Sequence, residues 1–294
     1  MGLMESSVQK SRWPNGAPYA LCLTHDVDHI RKHAYQYLWR MASNGRVGIH
    51  RQLKSLSRAL RGDNPAWNFD RLMRMEDSFG ARSTFLFLQE SARGMGAKYW
   101  GRYDLRSPEM KAIVRELDAG GWDVGLHGSL FSYRDLSLLA SEKALLEDIL
   151  GRAVVSTRQH YLNYEPGLTL NIHEQIGLKI DSTFGSSSHA YDGRWGYQPF
   201  RPEGSRMIEL PITVMDTIGL HEVEVRRAAF RAVQTTVQSS GVVVLDWHQC
   251  AFDEQEFPER VAFYRDVIAE ARAQGAWIAT MAEIANHWSQ LEPQ

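Results

Sequence analysis

Short apolar runs alternate with helical patterns about seven times along this chain, and no other feature restricts the fold as much. Strand candidates are "ALCLT" (20–24), "RSTFLFLQ" (82–89), "DVGLHGS" (123–129), "VVSTRQHYL" (154–162), "LKIDSTFG" (178–185), "RMIELPITVMDT" (206–217) and "VVVLDWHQ" (242–249). A last one opens "AWIATMAEIANHW" (276–288). Helical spacing marks 68–81, 107–122, 139–151, 171–177, 222–241 and 258–275. In 107–122, Ser107 reads as an N-cap, Pro108 as the first helical residue and Gly120-Gly121 as the stop. Strands separated by helices predict parallel pairing with helical crossovers. The strands are apolar throughout rather than alternating, as expected when both faces of a sheet are covered. The expectation is an α/β fold, a closed or nearly closed β/α barrel, as a single domain over 1–294. The basic stretch 30–62, interrupted at Asn44-Gly45, reads as an insertion of two helices.

Composition narrows the class. A formal net charge of -2 carries no global basic field for nucleic acid. Two cysteines, Cys22 and Cys250, make no disulfide framework. No apolar run approaches the ~20 residues needed to span a bilayer, and the first residues lack the apolar core of a signal peptide. A cytoplasmic protein with no integral membrane segment is expected. The insertion carries Lys32, Arg40, Arg46, Arg51, Lys54, Arg58 and Arg61. Those charges suit a phosphate-bearing substrate, an anionic membrane surface or a solvated helical face.

Polar residues of catalytic type cluster where the strand candidates end. The first is followed by "HDVDH", in which Asp26 and Asp28 point the same way if the backbone stays extended. Two carboxylates aimed together call for a cation or a shared proton. "DVGLHGS" ends near His127, "VVSTRQHYL" carries Arg158 and His160, "LKIDST" carries Asp181, and "VVVLDWH" carries Asp246 and His248. In a β/α barrel the active site lies at the C-terminal ends of the strands. Any one of these residues alone could cap a helix or pack at a rim; together they describe a metal site with an acid and a base.

These motifs resemble those of the polysaccharide deacetylase family, the NodB-homology domain of carbohydrate esterase family four. The resemblance covers roughly residues 18–287. It implies a distorted (β/α)7 barrel and a divalent metal, usually zinc, used to hydrolyse acetyl groups on sugars. "THDVD" stands for the first motif, with Asp26 as general base and Asp28 as metal ligand. "GGWDVGLHGS" supplies the ligand His127, "STRQHY" the Arg158 of the third motif, "LKIDSTFG" the Asp181 of the fourth, and "VVVLDWH" the catalytic His248 of the fifth. One departure matters. The family places a second ligand histidine four residues after the first, and here that position is Phe131. His160 is the replacement we expect, with a second-sphere role as its alternative. His29 and Cys250 are weaker candidates, and His25 should face away from Asp26 and pack.

The implied chemistry is amide hydrolysis. Asp28, His127 and His160 would hold the metal, Asp26 would take a proton with Arg158 keeping it ionised, and His248 would protonate the leaving amine. Asp181 or Asp246 would fix the His248 tautomer. Trp195, Tyr197 and Phe200 are candidate sugar platforms. Trp247 completes the substrate-binding set, although alternation past Asp246 also aims it into packing. The expected substrate is an N-acetyl sugar, nucleotide- or lipid-linked, from surface-polysaccharide biosynthesis such as that of lipopolysaccharide. A deformylase of a sugar-linked substrate and a non-catalytic, glycan-binding barrel are the alternatives.

Overall fold

A computed structural model describes residues 12–32, 37, 45–90 and 102–291. The strands are β1 (Ala20–Val27), β2 (Thr84–Leu88), β3 (Asp123–Gly128), β4 (Ser156–Gln159), β5 (Ile180–Asp181), β6 (Ile208–Glu209), β7 (Val214–Met215), β8 (Val242–Asp246) and β9 (Trp277–Ala279). The helices are α1 (Gly45–Leu60), α2 (Phe69–Ser78), α3 (Pro108–Ala119), α4 (Leu136–Leu150), α5 (Thr169–Gln175), α6 (Val223–Gln238), α7 (Pro258–Ala273) and α8 (Met281–Leu291). Hydrogen bonding orders the strands β6-β5-β4-β3-β2-β1-β8-β7, all parallel. The two flanks of β1 differ. One meets β8 from Ala20 to Thr24, while the other meets β9 from Ala20 to Cys22 and then β2 from Thr24 to Val27. That split is the distortion: the barrel expected from the alternation is present, with one flank of its central strand shared by two partners.

A two-residue period then decides what faces inward. On β1, Ala20 and Cys22 join Val242 and Val244 of β8, Leu86 of β2, and Ile180 and Ile208 in an interior core. Leu21, Leu23 and Val27 join Phe85, Phe87, Val243 and Leu245 in the core beneath the helices. Continuing the inward column of β1 reaches Thr24 and Asp26; that of β8 reaches Asp246. β3 contributes Gly125 and His127. Glycine is required at 125, because a Cβ there would lie 2.6 Å from Leu86 Cδ2 and 2.8 Å from the Ser156 carbonyl oxygen.

The helix signals act as predicted. Ser107 accepts from Met110 N at 3.3 Å, and Gly151 ends α4 with φ +71°. Three strand expectations shorten. The run 154–162 pairs only over 156–159 before a turn, 178–185 pairs only at 180–181, and 206–217 splits into β6 and β7 around Pro211. The second expected insertion helix is α1; Arg40 and the first of the two helices lie outside the described residues. Among the described residues, no helix is long and apolar enough to cross a membrane.

Candidate metal centre and active site

The inward columns end in three buried ligand-type side chains. Asp28 Oδ1 lies 3.4 Å from His127 Nε2 and 3.3 Å from His160 Nδ1, and the two imidazole nitrogens are 3.1 Å apart. Four-coordinate zinc, with ligand bonds of about 2.0–2.1 Å, has tetrahedral edges of about 3.3–3.4 Å. The triangle therefore has the size of one face of such a tetrahedron. Asp28 Oδ1 is buried without a hydrogen-bond partner, which is costly unless an ion satisfies it. His127 Nδ1 donates to the Arg158 carbonyl at 3.0 Å, so its Nε2 presents a lone pair to the triangle. The donor set, one carboxylate and two imidazoles, suits zinc.

His160 reaches this point through a strained turn. β4 ends at Gln159, and the two residues after His160, Tyr161 and Leu162, both adopt left-handed φ (58° and 54°). Such non-glycine conformations persist only where the surrounding structure holds them.

The acids and bases around the triangle separate by their partners. Arg158 is fully buried; its Nη1 donates to Asp26 Oδ1 at 2.8 Å and lies 3.0 Å from Asp246 Oδ1. Asp26 Oδ2 is left facing His127 Nε2 at 3.6 Å. Burial works against the Asp26 carboxylate, yet His127 and Arg158 hold it below the usual carboxylate range. Asp246 goes the other way: burial, only partly offset by Arg158, pushes it up to about 7.

Across the triangle, His248 Nε2 lies 3.9 Å from Asp28 Oδ2. His248 Nδ1 donates to Asp216 Oδ1 at 2.7 Å, and Arg260 Nη1 donates to Asp216 Oδ2 at 2.8 Å. Burial disfavours the His248 cation, but Asp216 raises its pKa well above the ordinary imidazole value.

Two expectations are corrected here. Neither Asp181 nor Asp246 fixes the His248 tautomer; Asp216 does. On β5 the inward residues are Ile180 and Ser182, and Ser182 accepts from Arg158 through Oγ and its carbonyl, both at 2.8 Å. Asp181 therefore faces outward, paired in register with Glu209 and accepting from Thr183 at 2.7 Å. Trp247 leaves the substrate set as well. It is fully buried and turned away from the site, stacked on Phe263 at a centroid distance of 5.7 Å in the outer core.

The other aromatic candidates are half-buried. The Tyr197 carbonyl accepts from Val242 N, at the start of β8 and so at the opposite end of that strand from His248. Trp195 and Phe200 pack on Phe184 at centroid distances of 5.0 and 6.1 Å. His25 packs as expected: its nitrogens face the Trp247 carbonyl at 2.9 Å and Glu76 Oε1 at 2.8 Å. His29 stays outside the triangle, and burial lowers its pKa to about 3.

Two functional residues have no counterpart in the sequence reading. Asp216 ends a strand like the other site residues, and that position was the available signal. Arg102 has none, since it lies in no strand or helix. Its Nη1 donates to the Asp28 carbonyl at 2.8 Å and lies 3.2 Å from Asp28 Oδ2, and its Nη2 donates to His160 Nε2 at 2.7 Å. The result is a one-directional relay. Arg102 donates to His160 Nε2, His160 Nδ1 donates to His127 Nε2, and His127 Nδ1 donates to the Arg158 carbonyl. A proton on His160 Nδ1 closes the triangle.

No family model matches the chain, and no curated protein matches it. Solved structures do. A protein described as a polysaccharide deacetylase from Pseudomonas aeruginosa PAO1 aligns with a TM-score of 0.64 and 15% identity, over 97% of this chain and 95% of that one. The PuuE allantoinase aligns at 0.61 and 15%, over 98% and 96%. A protein described as a polysaccharide deacetylase from Mycobacterium smegmatis aligns at 0.59 and 20%, over 96% and 94%. The chain thus has the polysaccharide-deacetylase fold over nearly its whole length.

Proposed function

We propose that the protein is a metal-dependent hydrolase that removes an N-acetyl group from a sugar, acting on a nucleotide- or lipid-linked intermediate of surface-polysaccharide assembly in the cytoplasm. The observation that carries this reading is the buried Asp28–His127–His160 triangle, with the orphaned Asp28 Oδ1 at one corner. A divalent metal bound there, zinc by the donor set, supplies Lewis acidity toward an acyl carbonyl and toward water. The chain's own residues supply the rest. Arg158 fixes Asp26 through Oδ1, leaving Oδ2 on the triangle side to accept the proton of the attacking water. Asp216 holds His248 protonated with Nε2 toward the triangle, placed to protonate the departing amine. Removal of a formyl group would use the same residues.

Arg102 favours a second reading, the non-catalytic barrel, because its cation already serves Asp28 and His160. The experiment that separates the two measures acetate released from a panel of N-acetylated sugar nucleotides, with zinc supplied or chelated. Zinc-dependent acetate from at least one member supports the hydrolase. No acetate from any member, by protein shown to contain stoichiometric metal, rejects it.

A further inference from the structure

Helix α1 is amphipathic in the reverse of the usual sense. Its inward face is polar. Arg51 holds Glu259 with two bonds of 2.9 and 2.8 Å, Gln52 and Ser55 reach buried Glu256 at 3.1 and 3.0 Å, and Arg58 reaches buried Asp253 at 2.6 Å. The apolar residues look outward. Ile49 is 37% exposed, Leu53 50% and Leu60 81%, with Leu56 half-buried between them. At 100° per residue these four lie within roughly 60° of one another. They form one stripe, where a globular helix would present its charges. Beside the stripe, His50, Lys54 and Arg61 are exposed.

The segment that carries this helix is one-sided in its own charge, and the acids packed on its inward face are paired with Arg51, Gln52, Ser55 and Arg58. No Asp or Glu occurs between Asp28 and Asp63, although the chain as a whole carries a net charge of -2. Asp63 itself pairs with Arg58. An apolar stripe flanked by cations and free of acids complements a surface that is apolar inside and anionic at its edge. A second copy of the helix would bring like charges together, and the neighbouring residues 38–44 add Arg40 and no acid. We propose that α1 is a membrane-surface docking element, laying Ile49, Leu53, Leu56 and Leu60 into the headgroup boundary of an anionic leaflet with Lys54 and Arg61 on the headgroups. Its inward anchors, Asp253, Glu256 and Glu259, follow His248 in the chain after β8. Docking would therefore bring the mouth of the site toward the bilayer.

The test is co-sedimentation of the full-length protein with vesicles of phosphatidylcholine alone or containing one-third phosphatidylglycerol. Binding should appear with the anionic vesicles. It should fall as salt rises from about 0.1 to about 1 M, which shortens the Debye length from about 10 to about 3 Å. The variant K54E/R61E should bind at least about 25-fold more weakly, about fivefold per cation removed, and L53S/L60S should bind about tenfold more weakly or worse. All four positions are exposed, and unchanged circular dichroism would confirm the fold. Failure of wild type to sediment with anionic vesicles would overturn the proposal. So would undiminished binding by L53S/L60S, or a stable dimer in velocity sedimentation that L53S/L60S dissolves.

Discussion

Replacing Arg102 with methionine should tighten metal binding. The guanidinium donates to His160 Nε2 at 2.7 Å, and a neutral imidazole that accepts at Nε2 carries its proton on Nδ1. Nδ1 is the atom at the corner of the ligand triangle. Metal binding requires the opposite tautomer, with the Nδ1 lone pair free and the proton on Nε2, which faces a donor that cannot accept it. The metal must therefore break the Arg102–His160 bond. A hydrogen bond to a charged group contributes about 1.5–3 kcal/mol; at 1.4 kcal/mol per tenfold, that is about 10–100-fold in affinity. Arg102 also places a positive charge 3.2 Å from Asp28 Oδ2, which opposes a dication in the same direction. Methionine fills the volume and removes both effects. Competition against a chromophoric zinc chelator near neutral pH would read the change directly. Equal or weaker affinity in the Arg102→Met protein would refute the argument and make Arg102 a support for the ligands. Loss of all binding in wild type as well would point instead to the non-catalytic barrel.

The remaining expectations concern the groups around the triangle. Asp26→Asn should keep stoichiometric metal and lose about 10²-fold or more in kcat, since only the proton acceptor is removed; elemental analysis beside turnover checks both halves. Asp216→Asn should lower the His248 pKa, because the carboxylate 2.7 Å away is what raises it. Activity needs His248 protonated, so the alkaline limb of the pH–rate profile should move to lower pH, and an unmoved limb would remove Asp216 from this role. Gly125→Ala should destabilise the fold by about 1–3 kcal/mol through overpacking between β2 and β4, read as a lower urea midpoint with an unchanged slope.

Much of this site was legible because a strand has a period of two. The even-numbered residues of β1 and β8 lead from an apolar interior to Thr24, Asp26 and Asp246 at the mouth, and a strand end in the sequence marks that mouth. The same rule placed His25 in the outer core. What misled was the character of the strands. A run apolar on both faces does not show which parity faces inward; at this strand the inward position belongs to Ser182, so Asp181, expected from its strand-end place and the family's fourth motif, faces outward. Asp216 also follows a strand, but that strand, Val214–Met215, is only two residues long and shows no period that would single out its end. Arg102 lies outside every periodic element, so only the folded chain brings it to Asp28. His160 is legible by residue type and its spacing from Arg158, although the left-handed turn at Tyr161 and Leu162 is what holds it there.

On this reading His160 stands in for the histidine that position 131 lacks and completes a metal site with Asp28 and His127. A crystal structure of the zinc-soaked protein, with anomalous data at the zinc edge, tests it most directly. One strong anomalous peak is expected, with Asp28 Oδ1, His127 Nε2 and His160 Nδ1 each about 2.0–2.2 Å away and Arg102 withdrawn from His160. A peak ligated by Asp28 and His127 with water or His29 in the third place would contradict the role of His160. No peak at all, with Arg102 still bonded to Asp28 and His160, would contradict the metal site itself.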